Sequence, residues 1–236
     1  AGEEVSRKIL EIFAGSRSIG GAAKALGFEV YSTDIKAFQD IDYVTDILEI
    51  DLSKIPFVPD CIWGSPLCTG FSIASIGKNW TGGKKAYIPK SKNAHLSIAL
   101  SKKNIEIIEH FLKLNPNLIY FMENPRGMMR HMGYVKKFLE RTGGQRHTIW
   151  YCKYGDDRGK PTDIFTNSKT WIPREVCKNY QYDKDGNVID RHCHHQEARR
   201  GAKTGTQGRK NNHERSKIPW ELCVTAMYSL LQEEHH

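Results

Sequence analysis

Short apolar runs and amphipathic stretches alternate along this chain from residue 8 to residue 166, and this pattern constrains the fold more than any other feature. Residues 8–13 (KILEIF) read as a buried strand that must turn at Ala14-Gly15. Ile19 to Leu26 reads as a helix with Gly27 as its stop signal. Phe28 to Ser32 reads as a second strand closed by Thr33-Asp34, and Tyr43-Val44 and Cys61–Trp63 as two more. Between Leu96 and Leu114, apolar residues at 105, 108, 111 and 112 oppose Lys102, Lys103, Glu106 and Glu109, which is the pattern of a helix packed on a sheet. A strand over Leu118–Met122, a helix over Tyr134–Arg141 and strands at about 148–152 and 163–166 complete the series. Alternation of this kind implies an α/β fold with a doubly wound, mostly parallel sheet, whose ligands bind at the carboxyl ends of the strands.

After Asn167 the character changes. Residues 168–214 are polar, rich in Lys, Arg, His, Asn and Gly, and lack a sustained period. They are expected to form a small irregular module, with residues 215–234 returning as a helix to the main domain of residues 1–167. The 236 residues carry 35 Lys+Arg against 27 Asp+Glu, a net charge of +8 that favours a polyanionic partner. No apolar run is long enough to span a bilayer, and no charged-then-apolar leader is present. Six widely separated cysteines suit a reducing compartment, so a cytoplasmic monomer is expected. The closing His235-His236 reads as the remnant of a purification tag.

Three loops carry chemistry. The turn after the first strand, FAGSRSIGG, supplies glycines that let a backbone approach a ligand, and Asp34 lies 19 residues after Gly15, where an acid commonly accepts from ribose hydroxyls. The segment GSPLCTGFS, 64–72, follows the fourth strand and presents Cys68 beside Pro66. FMENPRG, 121–127, brings Glu123 to the end of the next strand.

These blocks, with YGDDRGKPTDIF at 154–165 and RSKIPWEL at 215–222, resemble the cytosine-5 DNA methyltransferase family in their order along the chain. The variants are similar to those of compact, phage-type members. The resemblance implies a Rossmann-like fold, S-adenosylmethionine (SAM) as cofactor and double-stranded DNA as partner. It implies a cofactor pocket of Phe13, Ala14, Gly15, Ser16, Asp34, Ile35, Asp46, Ile47, Pro66 and Ser216, with Asp46 on the adenine amino group and Ile47 against the ring. Cys68 takes the nucleophile position and Glu123 that of the acid that protonates the base, while Lys160 falls where a cation contacts the base carbonyl. A thiolate suits the reaction because it adds reversibly to carbon 6 and loads electron density onto carbon 5.

The target base must leave the stack, and the loop 73–94 is expected to close over it. DNA contacts are expected from Ser72, Lys78, Lys84, Lys85, Arg126, Arg158, Arg199 and Arg200, with Trp80 or Tyr87 filling the vacated stack. The chain departs from the family pattern at Leu67, Pro125, Thr162 and Ser216-Lys217. The last pair raises carboxy-SAM as an alternative donor, since a cation there would face an added carboxylate. An RNA substrate, or a binding protein without activity, are the competing readings. Cys177, Cys193, His194 and His195 lack the paired C-x2-C half of a common zinc site, and Cys152 reads as strand, so no metal is expected.

Overall fold

The computed structural model describes residues 6–82, 87–178, 183–187, 193–195 and 217–233. Its strands are β1 (Lys8–Ile12), β2 (Glu29–Asp34), β3 (Tyr43–Val44), β4 (Cys61–Gly64), β5 (Trp80–Thr81), β6 (Ile88–Pro89), β7 (Ile119–Pro125), β8 (Gln145–Trp150) and β9 (Pro161–Thr166). Its helices are α1 (Ser18–Ala25), the single turn α2 (Ile76–Asn79), α3 (Lys92–Leu114), α4 (Gly133–Thr142) and α5 (Trp220–Ser229). Seven strands form one sheet in the order β3-β2-β1-β4-β7-β9-β8. The first five are mutually parallel, and β9 runs antiparallel between β7 and β8. The doubly wound, mostly parallel sheet is the architecture expected from the alternation of apolar runs. Among the described residues no helix is long and apolar enough to cross a membrane.

Strand periodicity of two sends successive side chains to opposite faces, and both faces are covered. Leu10, Ile12, Ile62, Tyr120, Met122 and Phe165 pack with Ile105, Ile108 and Phe111 of α3 and with Val135 and Phe138 of α4. Ile9, Cys61, Trp63, Phe121 and Ile164 pack on the other side with Ala22 and Ala23 of α1 and Leu222, Ala226 and Met227 of α5. The Trp63 and Phe121 rings stack there at 5.3 Å. Helix α5 lies against α1, and the Ile218 amide donates to the Ser18 hydroxyl. The chain's last helix thereby returns to the loop that follows β1.

One charged group interrupts this core. Glu11 sits in the middle of β1, almost fully buried, where the strand period aims it at α1. Its carboxyl accepts from the Gly20 amide and, at 3.5 Å, from the Ser32 hydroxyl. Burial raises its pKa from 4.5 to about 7, a rise that the Gly20 hydrogen bond and the Arg17 charge only partly offset. The folded protein therefore holds this proton more tightly than the unfolded chain. The stability that Glu11 contributes is complete below the ordinary glutamate range and is lost as the pH rises through about 7. Relative to Glu11→Gln, the wild-type protein should lose roughly 1–3 kcal/mol of unfolding free energy between about pH 5 and pH 8. Urea titrations of both proteins across that range check this, and parallel curves would contradict it.

Candidate active site

The carboxyl ends of β1, β2, β4 and β7 converge on one edge of the sheet. The loop after β1 is tightly wound: Phe13, Gly15 and Arg17 all take left-handed backbone angles, with φ of 57°, 53° and 57°. Two of the three are not glycine, and such angles are costly unless the surroundings hold them. They are held from β2. The Ala14 amide donates to the Thr33 carbonyl at 3.0 Å, and the Gly15 amide donates to Asp34 Oδ2 at 2.8 Å. Asp34 Oδ1 in turn accepts from the Lys36 amide. Each carboxylate oxygen can accept a second hydrogen bond, so Asp34 keeps capacity for a ligand's hydroxyl groups. Beside it, the Ile35 side chain is 63% exposed, an apolar face at the strand end. A carboxylate with an adjoining apolar face suits a nucleoside, which fits the SAM expected for this edge. Ser16 and Phe13 lie half-buried in the same loop.

Beyond the next strand crossing lies the pair Cys68 and Glu123. β4 runs beside β7 with Gly64 opposite Met122, so the Cys68 loop leaves the sheet next to Glu123. Two further contacts lock the loops together. Asn124 Nδ2 donates to the Pro66 carbonyl at 3.1 Å. Gly127 lies so close to the Phe71 carbonyl that a Cβ there would meet its oxygen at 2.3 Å, so the FMENPRG and GSPLCTGFS loops fit only because that position is glycine. Cys68 is half-buried at the start of the turn Thr69–Phe71, and its carbonyl accepts from the Phe71 amide at 2.9 Å.

Glu123 is 6% exposed, and its Oε1 accepts from the Tyr151 hydroxyl at 3.1 Å. Burial, and then the Glu123 charge, push the Tyr151 hydroxyl well above its ordinary pKa, so it stays protonated and remains a donor. Above the Tyr151 ring stand two cations, the Arg158 guanidinium at 4.9 Å and Lys160 Nζ at 5.2 Å. Asn124 Oδ1 is buried with no hydrogen-bond partner among the described residues, an acceptor left for a donor on a ligand. Tyr151 was not singled out from the sequence. Its position just past a short strand carries no local signal, because the partner carboxylate is 28 residues away.

Several expected contacts are placed differently. Trp80 is 4% exposed, stacks on Phe71 and donates through Nε1 to the Gly70 carbonyl at 2.7 Å. It is a core residue that braces the Cys68 loop, and its ring has no face to offer a vacated base stack. Tyr87 stacks on His131 at 5.1 Å. The described residues of the loop 73–94 are folded against their surroundings. β5 pairs with β6, and buried Asn79 accepts from the Ser91 hydroxyl, whose oxygen also caps α3. Arg158 is likewise internal, 1% exposed, paired with Asp156 at 2.7 Å and donating to the Lys217 carbonyl at 2.6 Å. Ion pairing and burial remove it from DNA contact. Ile47 is buried in the core that includes Leu10 and Ile62. Asp46 is exposed and caps its own turn through the Leu48 amide. Pro66 is buried, Ser72 half-buried, and Lys78 and Arg126 exposed, the last over the Trp150 ring at 5.5 Å. Lys84, Lys85, Arg199, Arg200 and Ser216 lie outside the described residues.

No family model and no curated protein matches the chain. Among solved structures, the Entamoeba histolytica methyltransferase EhMeth aligns over 73% of this chain and 57% of its own, at 12% identity and a TM-score of 0.51. Spodoptera frugiperda DNMT2, solved as a triple mutant, aligns over 73% and 53% at 17% identity and a TM-score of 0.45. Schizosaccharomyces pombe Dnmt2 methyltransferase aligns over 79% and 58%, at 12% identity and a TM-score of 0.45. The chain thus spans little more than half the length of these proteins. The EhMeth match shows that the fold is of the Rossmann-like methyltransferase type.

The reassignment of Trp80 is testable. Trp80→Ala should destabilise the protein by about 3–5 kcal/mol, the range for deleting a buried large aromatic side chain. Chemical denaturation reads this directly. A loss below about 1 kcal/mol would contradict its place in the core.

Proposed function

We propose that this chain is a SAM-dependent cytosine-5 methyltransferase acting on DNA, with Cys68 as nucleophile and Glu123 as proton donor. The observation that carries the reading is the buried Glu123 carboxyl, held by Tyr151 on the strand next to the one that presents Cys68. Packing alone gives no reason to keep a carboxyl under the mouth of a nucleophile loop, since an unpaired buried carboxyl is costly.

When bound, SAM would supply an electrophilic methyl group, and Asp34 and Ile35 are the residues that would hold its nucleoside. The chain's own residues prepare the base. The Cys68 sulfur bonds to carbon 6 of a flipped cytosine while the Glu123 carboxyl gives its proton to nitrogen 3. The negative charge therefore never fully develops on the ring, and carbon 5 becomes nucleophilic. The buried acceptor Asn124 Oδ1 is suited to the exocyclic amino group of the same base. Lys160, next to Tyr151, is suited to the carbonyl oxygen. Once carbon 5 carries its methyl group, water takes the carbon 5 proton, the electrons of that bond restore the double bond, the carbon 6–sulfur bond breaks to return the Cys68 thiolate, and nitrogen 3 gives its proton back to Glu123. The excess of cations over acids supports a nucleic-acid partner, and exposed Lys78 and Arg126 are suited to its phosphates.

Incubating the protein with labelled SAM, duplex DNA and, separately, RNA tests the reading by mass spectrometry of the nucleosides. Methylcytosine in DNA is expected. Label in RNA alone would move the substrate to RNA, and label in neither would overturn the enzyme assignment. Carboxymethylcytosine formed when carboxy-SAM competes with SAM would identify that donor instead. Cys68→Ser should abolish turnover while leaving SAM affinity within a few-fold. Glu123→Gln should lower the rate by roughly 10² to 10⁴-fold, the range of a positioned proton donor. A loss below about tenfold would remove Glu123 from that role.

A further inference from the structure

Beside Tyr151 in the chain, at Cys152, three cysteines and a histidine come together from distant parts of the sequence. They are Cys152, Cys177, Cys193 and His195, and their ligand atoms all lie within 4.8 Å of one another. His195 Nδ1 is 2.9 Å from Cys193 Sγ and 3.7 Å from Cys177 Sγ. The Cys152 thiol neighbours both other thiols. We infer that these four side chains form a structural zinc site that fastens the segment after β9 to the wall of the candidate active site.

The geometry is that of a closed tetrahedral site. Zinc–sulfur bonds of about 2.3 Å and zinc–nitrogen bonds of about 2.0–2.1 Å set the edges of such a tetrahedron at roughly 3.3–3.8 Å. Of the two separations, 3.7 Å falls within that range and 2.9 Å lies a few tenths below it, and the 4.8 Å limit requires only small side-chain adjustments. Three soft thiolates and one imidazole favour zinc over the oxygen-seeking cations, and four protein ligands leave no position for substrate.

The surroundings are shaped to the cluster. The His195 ring lies on Gly159, where a Cβ would come within 2.9 Å of its Cδ2, so only glycine admits the ring. The preceding His194 reaches the Asp156 carbonyl through Nε2 at 2.8 Å and takes no part in the cluster. Arg174 pins the approach to Cys177, since its amide donates to the Tyr154 hydroxyl and its guanidinium to the Lys153 carbonyl, both at 2.9 Å. The polar composition after Asn167 gives a second, independent reason. A stretch with so few apolar side chains has little with which to build a core, and a metal supplies what a core does not.

The cluster is hard to see in the sequence. Its spacing, C-x24-C-x15-C-x-H, contains no C-x2-C pair. Cys152, which reads as strand, stands two residues past the end of β8, in the turn Tyr151–Tyr154 that redirects its thiol. That turn also carries Tyr151, so the metal would stiffen the element that holds Glu123. The zinc inference does not depend on the methyltransferase reading.

Protein purified without an immobilised-metal step should contain about one zinc per chain by elemental mass spectrometry. Replacement by cobalt should give the visible and near-ultraviolet bands of a tetrahedral thiolate site. Cys177→Ser and Cys193→Ser should each lose the metal, whereas Cys68→Ser should retain it. Chelation should speed hydrogen exchange in residues 151–160 and 171–178 and leave β1 and β2 unchanged. Reduced, folded wild-type protein that contains no zinc and gives no cobalt bands would overturn the inference. So would a disulfide between any two of Cys152, Cys177 and Cys193 in non-reducing peptide maps.

Discussion

The hydrogen bond from Tyr151 to Glu123 organises the candidate active site. A carboxyl this deeply buried needs a partner, because water is excluded and an unsatisfied acceptor costs about 1–3 kcal/mol. Tyr151 meets that need, and its own ring, in the turn just after β8, lies under the Arg158 guanidinium. Arg158 in turn is neutralised by Asp156 and tied to the Lys217 carbonyl, just ahead of α5. A chain of contacts therefore runs from the candidate proton donor to the start of the last helix. That helix lies along α1, beneath the candidate cofactor loop. The parts expected to hold cofactor, nucleophile and acid share one rigid foundation.

The backbone around Cys68 follows the same logic. Its loop is fixed by Asn124 from β7, by the Gly127 approach to Phe71 and by the Trp80 indole on the Gly70 carbonyl. A nucleophile must be held close to its target geometry to gain from proximity, and three independent contacts on one short loop supply that rigidity. Such packing also explains why β5 and β6 fold back on the loop at all. The short hairpin brings Trp80 inside and, with Asn79 and Ser91, sets the first turn of α3.

Much of this was legible in the residues. The strands read over residues 8–13 and Leu118–Met122 announced themselves as mostly apolar runs, because a parallel sheet covered on both faces has no polar side. Gly27, left-handed at φ 82°, stops α1 where expected. The placement of Asp34, Cys68 and Glu123 at or just past strand ends was legible, because strand ends in such a sheet converge on one edge. What local pattern does not encode is the partner of a side chain. Trp80 and Arg158 stand among lysines and aspartates and read as surface groups, yet long-range packing draws both inward. Glu11 lies in a mostly apolar strand, and its tolerance there rests on the Gly20 amide, the Ser32 hydroxyl and the Arg17 charge, none of them adjacent in sequence. The Cys152 cluster was hidden for the same reason: its four members come from three separated segments.

The central claim is that Cys68 bonds covalently to carbon 6 of the target base. The most direct measurement uses duplexes of mixed sequence that contain 5-fluorocytosine, incubated with the protein and SAM. The fluorine blocks the final loss from carbon 5, so the adduct accumulates and survives denaturing electrophoresis. The account predicts a stable protein–DNA complex whose crosslinked peptide, identified by mass spectrometry, carries the base on Cys68. A crosslink on another residue would contradict it, as would methyl transfer to ordinary cytosine with no trapped complex.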